Sequence, residues 1–381
     1  MDQKELISFL NSLEDYGIPG CDCIVYLNHK PVFRYMTGYA DKEKTKPINE
    51  GTYFWIYSVT KLVTCAAVMQ LVENGIISLD DPVYLYLPEY KNMKVKDGNT
   101  VKPAENIISI RHLMSMRSGM NYNISAPSIL RALKETNGQA STLDIIKALA
   151  HEPLDFEPGT RFQYSLSHDV LAAVIEVASG KSFDAYIQDH ILQPLGMHKT
   201  GFELTEEKRS AMADQFLYNV LSRSSKPVSL NNDFVFSPNY KSGGAGLIST
   251  TDDFILFLDA MCNGGVGANG SRILSKESID LIRTDQLNDK ARDDYIKMDW
   301  NRCGYSYGLG CRVLIDKTLT EAKSPLGEFG WDGAAGASAI IDADNHVAVF
   351  YVQHVLACDF AYKTIHRRVR DLTYEMLQLA S

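Results

Sequence analysis

From Leu62 to Val72 the chain runs Leu-Val-Thr-Cys-Ala-Ala-Val-Met-Gln-Leu-Val, without a charge, a proline or a glycine. The stretch predicts a helix over about 59–74, stopped by Gly75. A helix that is apolar on most sides has no face to offer water and must be buried. The run is also too short to span a bilayer. The fold therefore has to enclose this helix, which takes a large core. With 381 residues, 45% of them hydrophobic, the chain has the material for one.

The head of the helix carries chemistry. It reads Tyr57-Ser58-Val59-Thr60-Lys61. A serine and a lysine three residues apart share one helix face. A serine hydroxyl is a weak nucleophile and needs a base within hydrogen-bond reach. A lysine can be that base once burial disfavours its charged form. At the head of a buried helix, Lys61 is constrained rather than free in water. The Ser58 N–H falls in the first turn, where it has no intrahelical acceptor and can help hold an oxyanion. In isolation, Ser-x-x-Lys also reads as a helix cap followed by a solvated lysine.

The flanking pattern predicts a sheet made from both ends of the chain. Leu6, Phe9, Leu10 and Leu13 have helical spacing. A hairpin follows, with strands over 21–27 and 32–37 and a turn at Asn28-His29-Lys30. A short strand is expected near 53–56. The middle reads as helices over 110–116, 142–150, 168–179, 182–190, 251–262 and 275–283, joined by Gly-, Pro-, Ser- and Asn-rich loops. Strands return over 305–315, 334–342 and 347–354, and a helix over 359–379 closes the chain. The expected class is α+β: one domain, its α/β part about 1–80 and 300–381, with a mainly helical part inserted over about 81–299.

Composition narrows the partners. A net charge of −9 disfavours nucleic acid and anionic membranes. The first residues, charged throughout, do not read as a signal peptide. Seven scattered cysteines suit reduced thiols better than a disulfide framework, and none has zinc spacing. The expectation is a cytoplasmic protein acting on a small molecule without metal or cofactor; the oligomeric state is open.

Two further segments bear on a site. Tyr164, in Phe162-Gln163-Tyr164-Ser165-Leu166, precedes a helix and can project its phenol from a loop. Trp331-Asp332-Gly333-Ala334 lies at the head of a strand, where a glycine permits close backbone approach. His168 is expected to be exposed or structural. Glu152, Glu157 and Asp169 form no convincing pair with it, and no Gly-x-Ser-x-Gly elbow is present, so a Ser-His-Asp triad is the lesser reading.

Together with Ile108–Met120, Phe156–Ser165, Ile191–Phe202 and Ser242–Phe254, the Ser58-x-x-Lys61 segment resembles the serine β-lactamase and penicillin-binding-protein superfamily. Within it, the chain looks most similar to class C β-lactamases and family VIII carboxylesterases. The resemblance covers nearly the whole chain. It implies a β-lactamase/transpeptidase-like fold, with an antiparallel sheet flanked by helices. It also implies Ser58 as the acylated nucleophile, Lys61 as its base and Tyr164 as proton shuttle. The N–H groups of Ser58 and Ala334 would form the oxyanion hole, and Trp331, Gly333 and Leu166 would line the substrate site.

Two departures bear on substrate. Leu166 stands where the family's Tyr-x-Asn amide is usual, and Trp331 where its third motif has lysine. An aromatic ring cannot pair with a substrate carboxylate. Asp332 would repel anions unless it points away. The resemblance therefore favours a carboxylesterase, acting on esters of less polar acyl groups and possessing or lacking acyltransferase activity. The alternatives are a β-lactamase or D-amino-acid-specific peptidase, and a non-catalytic relative that binds an acyl or peptidyl ligand.

Overall fold

The computed structural model describes residues 2–298 and 302–379. The expected boundary near 299–300 lies outside the described residues. Helix α1 (Lys4–Ser12) leads into strands β1 (Gly20–Leu27) and β2 (Lys30–Gly38). Their hairpin turns at Asn28 and His29, both in the left-handed region. The chain rejoins the sheet as β3 (Tyr305–Tyr307), β4 (Arg312–Leu314), β5 (Phe329–Asp332), β6 (Ser338–Asp342) and β7 (Val347–Val352). The seven strands lie in the order β2-β1-β7-β6-β5-β4-β3, and each neighbouring pair is antiparallel. Asp22–Leu27 runs opposite Val347–Val352, which joins the two ends of the chain in one sheet.

Both faces of that sheet are covered, and so β6 and β7 are buried along their whole length. Strands covered on both faces read as near-continuous apolar runs instead of alternating. On one face, α1 and the closing helix α2 (His366–Leu377) bury Leu6, Leu10, Val369 and Leu372 against Cys23, Val25 and Val349. On the other lies helix α3 (Thr251–Cys262), whose Phe254 ring sits 4.9 Å from that of Phe350.

The apolar run forms a helix over Thr60–Glu73, the central helix, and every residue from Thr60 to Leu71 is buried. It packs against the helix Ser167–Ser179, itself buried from Ser167 to Ile175. The two ends of the sheet and this helical layer share one extensive core.

Several elements differ from expectation. The strand expected over 305–315 is two strands, broken by a turn in which Gly308 N–H donates to Cys311 C=O. Trp331 and Asp332 end a strand instead of beginning one. The following strand starts only at Ser338, because residues 333–337 form a turn closed by Gly333 N–H to Ala337 C=O, 2.8 Å. The inserted part also holds short strand pairs, Lys94–Asp97 with Thr100–Pro103 and Phe216–Asn219 with Ser224–Pro227. Three of these four strands are short, polar and largely exposed, and Phe216–Asn219, with Phe216 and Tyr218 buried, is only four residues long, so there is little apolar alternation to read. Among the described residues no helix is long and apolar enough to cross a membrane, and all seven cysteines are free thiols.

The central helix should be intolerant of truncation. Leu71 is 1% exposed, and Leu71→Ala is expected to cost about 2–5 kcal/mol. Leu85, 59% exposed, should cost less than about 0.5 kcal/mol when replaced by alanine. Urea midpoints of the two variants check the contrast.

Candidate active site

Ser58 sits in a single 3₁₀ turn, Tyr57–Val59, which feeds directly into the central helix. The turn is held from before and after. Tyr57 adopts a φ of 47°, an outlier for a bulky residue. Its ring is buried between Trp55, Phe234 and His354, and its hydroxyl reaches Gln215 and the Asn231 carbonyl. Such a conformation costs about 1–3 kcal/mol and persists only where the surroundings over-determine it.

Lys61, one turn on, is 0% exposed. Its Nζ donates to Ser58 Oγ at 3.0 Å and to the Gly244 carbonyl at 2.8 Å. The amine also lies 4.7 Å from the ring centre of Tyr164 and 5.5 Å from that of Tyr122. The spacing read from sequence is thus realised as a hydrogen-bonded pair.

Tyr164 is placed by the loop before the helix Ser167–Ser179, and it is stacked between Tyr122 at 5.3 Å and Trp331 at 5.6 Å. The Trp331 indole N–H donates to the Tyr164 hydroxyl oxygen at 3.1 Å. With that lone pair occupied, the phenol's own proton is left to face elsewhere in the site. Gly333 follows at the end of β5. A Cβ there would come within 2.3 Å of the Ile56 carbonyl, so only glycine lets this turn approach the segment that carries Ser58.

Ser58, Tyr122, Tyr164, Phe234, Met298, Arg302, Trp331, Gly333 and Ala334 line a common cavity of about 250 Å³ with Asp332 and Tyr362. Among the described residues no hydrogen bond engages the N–H of Ser58 or of Ala334. Two backbone donors without an acceptor among the described residues thus border the cavity beside the Ser58 hydroxyl. That is the donor arrangement an oxyanion needs.

One residue falls elsewhere than the sequence reading had it, and a second takes one of its two expected places. Leu166 caps the helix Ser167–Ser179, is 2% exposed and packs in the core, outside the cavity lining. His168, expected to be exposed or structural, is the latter: on the first turn of that helix it is fully buried, with its Nε2 3.2 Å from Cys65 Sγ. Burial, and then the Lys61 charge, holds its imidazole well below the ordinary histidine range. It is a neutral structural group.

Sequence reasoning missed Tyr122, along with Phe234, Met298, Arg302 and Tyr362 of the lining, and it set Asp169 aside. Burial, with Tyr164 and Asp169 adding to it, pushes the Tyr122 phenol well up, while a hydrogen bond with Ser58 opposes the shift. No motif marks this tyrosine; it lies in a loop and enters the site only through the fold. Asp169 is 1% exposed. Its Oδ1 accepts from Tyr240 at 2.8 Å and Ser242 at 2.7 Å, and its Oδ2 has no hydrogen-bond partner among the described residues. Oδ2 lies 2.6 Å, and Lys61 Nζ 3.4 Å, from the point where Gly244 would carry a Cβ. Burial raises the Asp169 carboxyl, and Ser242 and Lys61 counter that. Its position five residues after Tyr164, one helical turn into a buried helix, was the available signal.

Asp332 lines the cavity but is turned away from it electrically. It accepts from Arg312 at 3.0 Å and Ser338 at 2.8 Å, and it lies 3.4 Å from His366 and 3.5 Å from Arg302. Burial alone would raise its carboxyl; Arg312, His366 and Arg302 override that and hold it far below the usual carboxylate range. Among the described residues no group of histidine, cysteine, aspartate and glutamate is arranged to hold a metal ion.

A family model described as Beta-lactamase matches residues 8–369. Esterase EstB of Burkholderia gladioli is 31% identical over 353 residues, covering 88% of this chain and 85% of its own. Among solved structures, EstCE1, described as a hydrolase with promiscuous acyltransferase activity, superposes with a TM-score of 0.80 at 26% identity, over 97% of this chain and 98% of its own. The simvastatin synthase LovD of Aspergillus terreus superposes with a TM-score of 0.82 at 20% identity, over the whole of both chains, and shares the fold.

Two expected outcomes follow from this geometry. Trp331→Phe keeps the stack but removes the N–H to Tyr164; a neutral hydrogen bond of about 0.5–1.5 kcal/mol translates to a fall of up to about tenfold in kcat. Steady-state kinetics with circular dichroism as a folding control checks it. His354, 3% exposed, backs the Trp55–Tyr57 segment, and burial lowers its imidazole to about 4. The unfolded imidazole takes a proton near pH 6.5 and the folded one only near 4, so its contribution to stability is full above 6.5 and is lost as pH falls toward 4. The loss amounts to about 3 kcal/mol. Asp22, which burial raises to about 7 against Arg34, titrates in the same range with the opposite sign. The measurement is therefore the difference in urea stability between wild type and His354→Asn at pH 7 and pH 4.5. The acid-induced loss should be smaller in the variant.

Proposed function

The chain belongs to the beta-lactamase family, and on that premise we propose that it is a serine hydrolase that cleaves carboxylic esters through an acyl-enzyme on Ser58. The observation that carries this reading is the 3.0 Å contact between Ser58 Oγ and a fully buried Lys61 amine, at the edge of an aromatic-walled cavity.

In the proposed cycle, Lys61 accepts the Ser58 proton, directly or by way of Tyr164, as Oγ attacks the ester carbonyl. The carbonyl oxygen becomes an oxyanion held by the N–H groups of Ser58 and Ala334. Collapse of the tetrahedral intermediate breaks the ester C–O bond. Tyr164 passes the proton to the departing alkoxide, and an alcohol leaves. Water then attacks the acyl-Ser58 carbonyl, gives up its proton along the same route, and releases the acid and free Ser58. An alcohol in place of water makes the second half an acyl transfer.

The aromatic lining supports an ester with an apolar acyl group. Trp331, 3% exposed and locked into the Tyr164 and Tyr307 rings, stands where a lysine would meet a substrate carboxylate. This favours an esterase over a β-lactamase or D-amino-acid peptidase. Seven free thiols fit a reducing compartment, and we infer a cytoplasmic location on that ground.

With 4-nitrophenyl butyrate as substrate, Ser58→Ala should abolish the enzyme-dependent release of nitrophenol. Lys61→Ala and Tyr164→Phe should each lower kcat by about 10²–10⁴. A loss below tenfold in both would mean that another base activates Ser58. Adding a primary alcohol should divert part of the acyl group to a new ester, seen by chromatography. Nitrocefin turnover matching butyrate turnover would instead favour the β-lactamase reading.

A further inference from the structure

One buried acid beside the reacting groups takes no part in the proposed cycle. Asp169 is 1% exposed, and only one of its oxygens is held. Tyr240 and Ser242 donate to Oδ1 at 2.8 and 2.7 Å, and the Gly244 N–H points to the same oxygen at 3.4 Å. Oδ2 has no hydrogen-bond partner among the described residues. A buried carboxylate oxygen without a donor is costly, and its retention calls for an explanation.

The surroundings supply one. The free oxygen faces Gly244, and beyond Gly244 lies Lys61. A Cβ at Gly244 would sit 2.6 Å from Oδ2 and 3.4 Å from Lys61 Nζ. The two atoms are therefore at most about 6 Å apart, within the range at which an opposite charge favours the charged form of its neighbour. Gly244 also joins them through its backbone: its carbonyl accepts from Nζ at 2.8 Å, and its N–H serves Asp169.

Several features favour the ionised carboxylate. Asp169 lies in the first turn of the helix Ser167–Ser179, where the helix dipole stabilises an anion. Burial raises its carboxyl, but Ser242, Lys61, Tyr240 and the Gly244 N–H all oppose that. The other titratable groups around the pair are accounted for. Burial, and then Lys61, keeps His168 neutral. Burial pushes the phenols of Tyr122 and Tyr240 and the thiol of Cys65 well up. Tyr164 meets the amine through its ring face. Asp332, across the cavity, is engaged by Arg312, His366 and Arg302.

We propose that Asp169 is a positioning residue for Lys61: its carboxylate stabilises the ammonium that forms when the amine takes the Ser58 proton. The proposal rests on the ester-cleaving reading. The proton travels from Ser58 Oγ to Lys61 Nζ and back to the leaving group as in that cycle; Asp169 neither gains nor loses one. Tyr240 and Ser242 hold the carboxylate in place, and the lack of a side chain at Gly244 lets it approach.

The test is Asp169→Asn. The amide oxygen can still accept from Tyr240 and Ser242, so the shape of the site is kept and the charge is lost. Acylation and turnover of a 4-nitrophenyl ester are followed as kcat/KM across pH. Without the charge the ammonium is less stable, so the amine is free at lower pH. The expected result is an acid limb displaced downward by about one pH unit, with a plateau lowered by about tenfold. A purely structural role would lower the plateau and leave the limb in place. Asp169→Ser, smaller and also uncharged, should displace the limb in the same direction and decides the matter if the asparagine variant does not fold. A limb that stays at the wild-type pH or moves upward, in a folded variant of an enzyme whose wild type is acylated on Ser58, overturns the proposal and leaves the ester-cleaving reading standing. Wild type that forms no acyl adduct on Ser58 overturns both.

Discussion

A lysine amine with no exposure to solvent is the constraint on which the rest of the structure depends. Taking an amine out of water is expensive unless the protein supplies acceptors and polarisable surfaces in its place. Here the Ser58 hydroxyl and the Gly244 carbonyl supply the acceptors, and the faces of Tyr164 and Tyr122 supply the surface. A buried carboxylate, Asp169, stands behind Gly244. Each comes from a different part of the chain: the 3₁₀ turn, the loops around 122, 164 and 244, and the helix that follows Tyr164. The apolar central helix is what brings them there, since a helix with no polar face has to be surrounded, and its first turn then opens into the cavity.

The same logic explains the glycines of the site. A side chain at Gly333 would strike the backbone entering the Ser58 turn, and one at Gly244 would crowd in between Lys61 and Asp169. The sheet serves the site by where its interior strand β5 ends. β5 delivers Trp331 to the Tyr164 oxygen and then stops, so that the backbone of 333–334 turns beside Ser58. Asp332, next to Trp331 on that strand, is tied to Arg312, His366 and Arg302, which removes it as a repulsive charge at the cavity wall.

Those parts of the site whose residue type and spacing are dictated by chemistry were legible in sequence. Ser58 and Lys61 must share a helix turn, Tyr164 must stand before a helix, and the sheet had to draw on both termini because only they carried strand-forming runs. What escaped reading was decided by burial. Leu166 follows Tyr164 by two residues, yet the capping turn sends it into the core. His168 carries an ionisable ring but is sealed against Cys65, and its neighbour Asp169 faces the lysine instead. Tyr122 sits in a loop with no periodicity, and its role exists only once the Tyr164 ring lies 5.3 Å from it. The break between β3 and β4, and the turn before β6, depend on glycine-bearing loops whose hydrogen bonds are not encoded in apolar alternation.

The central claim is that Ser58 becomes covalently acylated with the assistance of a buried lysine. Intact-protein mass spectrometry within seconds of mixing with a small activated ester tests this directly, with Ser58→Ala and Lys61→Ala in parallel. The expected result is a single added acyl mass on wild type, none on Ser58→Ala, and slow or absent labelling of Lys61→Ala. Equal labelling of wild type and Ser58→Ala, or ester turnover by wild type at full rate after Ser58 has been removed, would contradict it.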